Sequence, residues 1–132
     1  MRRYLWFMML LMGVVLIAGV GCSPKDKGGP KELLDKFFTS AIQQDYATSY
    51  TCYYDAYKAK VSKEEFIKHR KEASVLQAYK IVSLTQNKDT AQAEVLLTFA
   101  PSEKLSRKEA ATTTVKEEMV KQNDGWKIKV WE

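Results

Sequence analysis

The chain has 132 residues, 45% of them hydrophobic and 28% charged, with 21 Lys/Arg against 16 Asp/Glu for a net charge of +5. That length fits a single domain. With Arg2 and Arg3 set aside, 19 basic residues face 16 acidic ones, an excess too mild for the basic stripe that marks a nucleic-acid binder.

Met1-Arg2-Arg3 is a short basic start, and Tyr4 to Gly21 then runs without a charge. At ~1.5 Å per helical residue such a run reaches ~27 Å, close to a bilayer core. Ala18, Gly19 and Gly21 crowd its end, so residues 1–21 have the layout of an export signal. An uncleaved membrane anchor is the other reading. The first of only two cysteines, Cys22, stands at the exit, and Ser23 to Pro30 ("SPKDKGGP") has the composition of a flexible tether over residues 22–30.

From Pro30, which can open a helix because its missing N–H needs no partner there, Leu33, Leu34, Phe37, Phe38, Ala41 and Ile42 recur at helical spacing and predict an apolar face. The helix should end near Gln44. Asp45 is a candidate N-cap for a second helix carrying Tyr46, Tyr50, Tyr53, Tyr54 and Tyr57 on one flank. Ser62-Lys63-Glu64-Glu65 is a capping box. It opens a third helix, in which Phe66 and Ile67 bury while Lys68, His69, Arg70 and Lys71 face solvent. The basic residues of 58–71 read as a solvated face or as a contact for anionic headgroups.

From about Leu76 the period changes to two. Ala78, Lys80, Val82 and Leu84 alternate with Tyr79, Ile81 and Ser83, and Asn87 to Asp89 is a turn. Ala91, Ala93, Val95, Leu97 and Phe99 then share one face of a second strand. A polar loop leads to a Thr-rich third strand, Ala111 to Gln122. The tight turn Asn123-Asp124-Gly125 leads to a last strand with Trp126, Ile128 and Val130 on one face and Trp131 on the other. Three helices followed by four antiparallel strands predict an α+β domain over residues 31–132, its helices packed on one face of a curved sheet.

Two resemblances refine this reading. "GVGC", Gly19 to Cys22, following a basic start and an apolar run, resembles a bacterial lipobox. The resemblance implies that Cys22 becomes the first mature residue and carries lipid on its sulfur and amino group. More than one acyl chain makes a stable anchor, so the domain would sit on the extracytoplasmic face of a bacterial cell membrane. Cys22 would then form no disulfide with Cys52, which reads as a small buried hydrophobe. "LLDKFFTSAIQQDYATSY" (Leu33 to Tyr50), with Asp45-Tyr46 at the end of the first helix, "DTAQAEVLL", and "NDGWKIKV" (Asn123 to Val130) together resemble the nuclear transport factor 2-like, or cystatin-like, superfamily. That resemblance implies a cone enclosed by helices and sheet, which Tyr50, Tyr54, Phe99 and Trp126 would line or simply fill. It also implies a possible homodimer, for which Trp131 is suited.

The residues for common catalytic chemistry are not assembled. His69 sits among charged neighbours. One His and one unmodified Cys cannot build the usual zinc set, and neither a calcium loop, a phosphate loop nor a G-x-S-x-G nucleophile motif occurs. No cofactor or metal is expected. If Val115 and Met119 face inward, Glu117 does too, and a carboxyl there would titrate high and could serve as a base. A bulge that turns Glu117 outward, or a nearby Lys, is the plainer expectation. The sequence therefore points to a lipid-anchored, non-catalytic domain that binds a small ligand or a protein partner. The alternative is a small cone-type enzyme, isomerase- or dehydratase-like, that uses Glu117.

Overall fold

The computed structural model describes residues 28–130. The expected export signal, Cys22, most of the expected tether and Trp131 lie outside the described residues.

Helix α1, Pro30–Ile42, begins with Pro at its first turn, and the Gly29 backbone N–H donates to Glu32 Oε2 at 2.8 Å. Leu33, Leu34, Phe37 and Phe38 are buried along one stripe. Ser40 also lies on that stripe. Its hydroxyl is within 2.8 Å of Phe37 O and 2.7 Å of Ser49 Oγ, so neither buried serine is left unpaired. Gln44, at φ 59°, ends the helix in the left-handed region. Asp45 then caps α2, Tyr46–Thr51, accepting from Thr48 N at 3.2 Å and Thr48 Oγ1 at 2.6 Å.

The structure departs from one expectation in the segment that follows. The tyrosine-rich segment is not one helix: it breaks at Cys52–Tyr54 and resumes as α3, Asp55–Lys60, followed by α4, Lys63–Glu72. The break has a cause remote in sequence. Ile128 N donates to Cys52 O at 2.8 Å and Tyr54 N donates to Ile128 O at 3.0 Å, so Tyr53 forms a parallel bridge to the last strand. The Cys52 carbonyl and the Tyr54 N–H are thus satisfied by the sheet rather than by a continuing helix. The Ser62 capping box is present at α4, with Glu65 N donating to Ser62 Oγ and Ser62 N donating to Glu65 Oε2, both at 3.2 Å. Ser62→Ala should cost about 1 kcal/mol. In a thermal melt that is a fall of roughly 4–8 °C.

The strands β1 (Leu76–Asn87), β2 (Thr90–Phe99), β3 (Ala111–Gln122) and β4 (Gly125–Lys129) form one antiparallel sheet in the order of the chain. The first and last hairpins turn on two residues, since Asn87 pairs with Thr90 and Gln122 with Gly125. Gly125 has φ 120°, a conformation that glycine adopts without cost. The loop between β2 and β3 carries a single 3-10 turn, Glu103–Leu105.

β1 departs from simple alternation. Register shifts at Leu76/Ala78 and Ile81/Ser83 put two bulges in it. Each extra residue flips the strand, so Leu76, Tyr79, Ile81 and Leu84 pair with Phe99, Leu97, Val95 and Ala93 on one face. Leu84 shares the inner face rather than the face of Ala78 and Lys80, and Val82 is left 56% exposed.

The inner face of the sheet, with Ala91, Ala93, Val95, Leu97, Met119, Trp126 and Ile128, is buried against α1, Tyr46, Tyr53 and Phe66. Tyr79 binds the two layers at one edge. Its ring stacks on Phe38 at 5.1 Å, and its hydroxyl donates to Asp35 Oδ1 at 2.7 Å. The molecule is thus an α+β domain with helices on the concave face of a four-stranded sheet.

Candidate functional site

Between the helices and the sheet is a cavity of ≈ 260 Å³. Helix α1 supplies Phe37, Phe38 and Ala41 to its wall, and α2 supplies Tyr46. The sheet supplies Leu76, Leu97, Phe99 and Val115. The walls are therefore mainly ring and aliphatic surface. Three polar side chains interrupt them: Arg70, Ser74 and Glu117.

Glu117 reaches the cavity because the β2–β3 register runs unbroken from Thr90↔Val120 to Phe99↔Ala111. It pairs with Ala93, a buried inner-face residue. The expected bulge is absent from this register, and strand alternation between Val115 and Met119 carries Glu117 inward. Burial, which penalises the charged form, pushes its carboxyl up to about 6. The positive charge of Arg70 opposes that rise without overcoming it.

Arg70 is four residues beyond Phe66 on α4 and so shares its face. Its guanidinium carbon lies 5.3 Å from the centre of the Phe66 ring, a cation–π arrangement. Its Nη2 donates to Tyr53 Oη at 3.1 Å. Tyr53 is wedged edge-on between Phe37 and Phe66, with ring centres 5.4 Å from each. Burial pushes its hydroxyl up to about 12, against the pull of Arg70, so it stays protonated. The polar cluster thus comprises a fixed cation, a neutral phenol and a carboxyl that changes charge in mildly acidic solution.

Of the residues singled out from sequence, Phe99 and Glu117 meet at this cavity. The other three serve packing and side-chain-to-backbone hydrogen bonds. Tyr50 Oη donates to Val61 O at 2.7 Å and its ring lies 5.5 Å from Phe66, which ties α2 to the α3–α4 turn. Tyr54 Oη donates to Val130 O at 3.0 Å. Trp126 is buried in the core opposite Lys121.

Arg70 and Tyr53 join the site although the sequence reading placed Arg70 in solvent. The four-residue spacing from Phe66 was the available signal, masked by three charged or polar neighbours. His69 is exposed on α4, and among the described residues no group of three His, Cys, Asp or Glu side chains is arranged to hold a metal ion. Cys52 is 1% exposed and its Sγ donates to Thr48 O at 3.7 Å. Burial pushes its thiol up, leaving it a packing residue.

The arrangement can enclose a small apolar body and meet one polar group with charge or hydrogen bonds. Glu117 in its ionised form can also accept a proton.

Comparison with known proteins agrees with the geometry. The sequence model of a family described as an NTF2-like N-terminal transpeptidase domain matches residues 29–132. The fold is similar to that of a SEC-C motif containing protein from Rhodopseudomonas palustris, at 10% identity and a TM-score of 0.64, covering 79% of this chain and 77% of that one. It is similar also to a putative NTF2-like transpeptidase from Campylobacter jejuni, at 17% identity and a TM-score of 0.55, covering 79% of this chain and all of that one. A third similar structure is an NTF2-like protein of unknown function from Pseudomonas putida, at 14% identity and a TM-score of 0.52, covering 74% and 78% of the two chains. No curated protein matches. At these identities the structural likeness speaks to the fold alone.

Proposed function

As the chain belongs to the family of NTF2-like N-terminal transpeptidase domains, we propose that it is a lipid-anchored extracytoplasmic domain that binds a small ligand in its cone without transforming it. The observation that carries the binding reading is the ring-lined cavity with Arg70 and Glu117 in its wall. Small-molecule sites have this character, mostly apolar with a few placed polar groups. At ≈ 260 Å³ the cavity is just below the ~300–1,000 Å³ of pockets for drug-sized ligands, so the ligand is small.

The anchor rests on Gly19 to Cys22 after a basic start and an apolar run. Mass spectrometry of the N-terminal peptide from membrane fractions should find diacylglycerol on Cys22, and Cys22→Ser should move the protein out of the membrane pellet. An intact, unmodified Met1 terminus would sink the anchor.

A second reading, a cone-type enzyme of isomerase or dehydratase type, is favoured by one observation: Glu117 is inward and burial pushes its carboxyl up to about 6, which moves it toward the range of a useful general base. Loss of a measured turnover in Glu117→Gln, with unchanged ligand affinity, would establish it over the binding reading.

A further inference from the structure

We infer that the cavity takes a small amphiphile with one anionic headgroup, which Arg70 holds, and that its binding is coupled to uptake of a proton by Glu117. This inference rests on the reading of the cavity as a ligand site.

The guanidinium of Arg70 is always charged and carries five N–H donors in a planar fork. One nitrogen is engaged by the Tyr53 hydroxyl, and Phe66 lies against the guanidinium carbon, which fixes the plane while the group still lines the cavity. A guanidinium so held suits a carboxylate-type headgroup. Glu117 decides whether that headgroup is welcome. Ionised, it neutralises Arg70 and repels a second anion in a poorly solvated space. Protonated, it leaves the positive charge of Arg70 uncompensated and offers its own O–H as a donor. The site then presents only donors to an anionic oxygen. A cationic ligand would meet Arg70 in either state.

The other groups around Glu117 leave this pair in control. The segment after α2 contributes Tyr53, whose hydroxyl stays protonated. Helix α2 contributes Tyr46. The wall residues from α1, β1 and β2 are Phe37, Phe38, Ala41, Leu76, Leu97 and Phe99, none of which titrates. On β3 itself, Lys116 and Glu118 point to the opposite face by strand alternation.

The test is calorimetric titration of the folded domain with benzoate, largely ionised throughout, and with the neutral isostere benzamide, at pH 5.5 and pH 7.5. Benzoate should bind on the order of tenfold more weakly at pH 7.5, as proton linkage through a group titrating at about 6 requires, while benzamide should not change. In Glu117→Gln, benzoate should bind tightly at both pH values. In Arg70→Met, benzoate should lose at least tenfold at pH 5.5 and benzamide should not. Benzoate binding that ignores pH, or that survives the loss of Arg70, overturns the inference. If Arg70→Met does not fold, the Glu117→Gln titration decides alone. Benzamide binding without benzoate binding overturns the headgroup and leaves the cavity as a ligand site. Binding of neither compound overturns both.

Discussion

Leu34→Ala should destabilise the domain by about 3 kcal/mol, within the ~2–5 kcal/mol span of such changes. Leu34 is 0% exposed and faces the sheet from the middle of α1. Its truncation removes transfer free energy and leaves a void that the neighbouring rings, Phe37 and Phe38, are too rigid to fill. Their T-shaped contact, with centres 5.0 Å apart, has few alternative arrangements. The small size of the domain raises the stakes. A chain of this length carries ~5–15 kcal/mol of total stability, so one core leucine represents a large share of it. Val82→Ala is the control. That side chain is 56% exposed on the bulged edge strand, and its loss should stay within ~0.5 kcal/mol. Urea midpoints for the two variants decide the matter. A Leu34→Ala midpoint indistinguishable from that of Val82→Ala would mean that α1 does not pack on the sheet as described.

What was legible in the sequence was local. The apolar stripe from Leu33 to Ile42, the Ser62 capping box, the alternation from Ala91 to Phe99 and the Gly125 turn each state a preference within a dozen residues. Together these suffice for the α+β order of elements. What was hidden depends on partners far along the chain. The break at Cys52–Tyr54 coincides with the pairing of the Cys52 carbonyl and the Tyr54 N–H to Ile128, far along the chain. The bulges in β1 are visible only in its pairing with β2. They move Leu84 to the face opposite the one that simple counting assigns. Arg70 was concealed by Lys68, His69 and Lys71, three solvated neighbours that outweigh one i,i+4 relation to Phe66. Glu117 was inward by strict strand alternation alone, against the plainer expectation of a bulge or a Lys partner, and only the unbroken β2–β3 register decides it. The neighbouring charge was not legible, because Arg70 on α4 and Glu117 on β3 line one cavity only in the folded chain.

Glu117 also sets the pH dependence of stability. Its carboxyl has an ordinary value of 4.5 and is pushed to about 6 in the folded protein, mainly by burial. Between these values the folded state binds more proton than the unfolded one, so stability falls as pH rises from 4.5 to 6 and stays lowered above that. The full difference is about 2 kcal/mol at ~1.4 kcal/mol per unit. Glu117→Gln removes the titration. It should therefore gain up to about 2 kcal/mol over the native chain at pH 7.5 and almost nothing at pH 4. Asp35, Asp45 and Asp124 do not obscure this window. Hydrogen bonds to their carboxylates hold them below the ordinary 3.8, so their contributions are complete at higher pH and fade only in stronger acid. Subtracting the two urea-derived stability curves isolates the Glu117 contribution. A native curve that rises between pH 4.5 and 6, with Glu117→Gln losing stability at pH 7.5, would mean that attraction to Arg70 outweighs burial and that the pair is a salt bridge supporting the fold. The expected result has the opposite meaning. A carboxyl that weakens the fold at neutral pH, in a cavity wall where a neutral side chain would fit, would support the proposal that the cavity binds a ligand on which that charge acts.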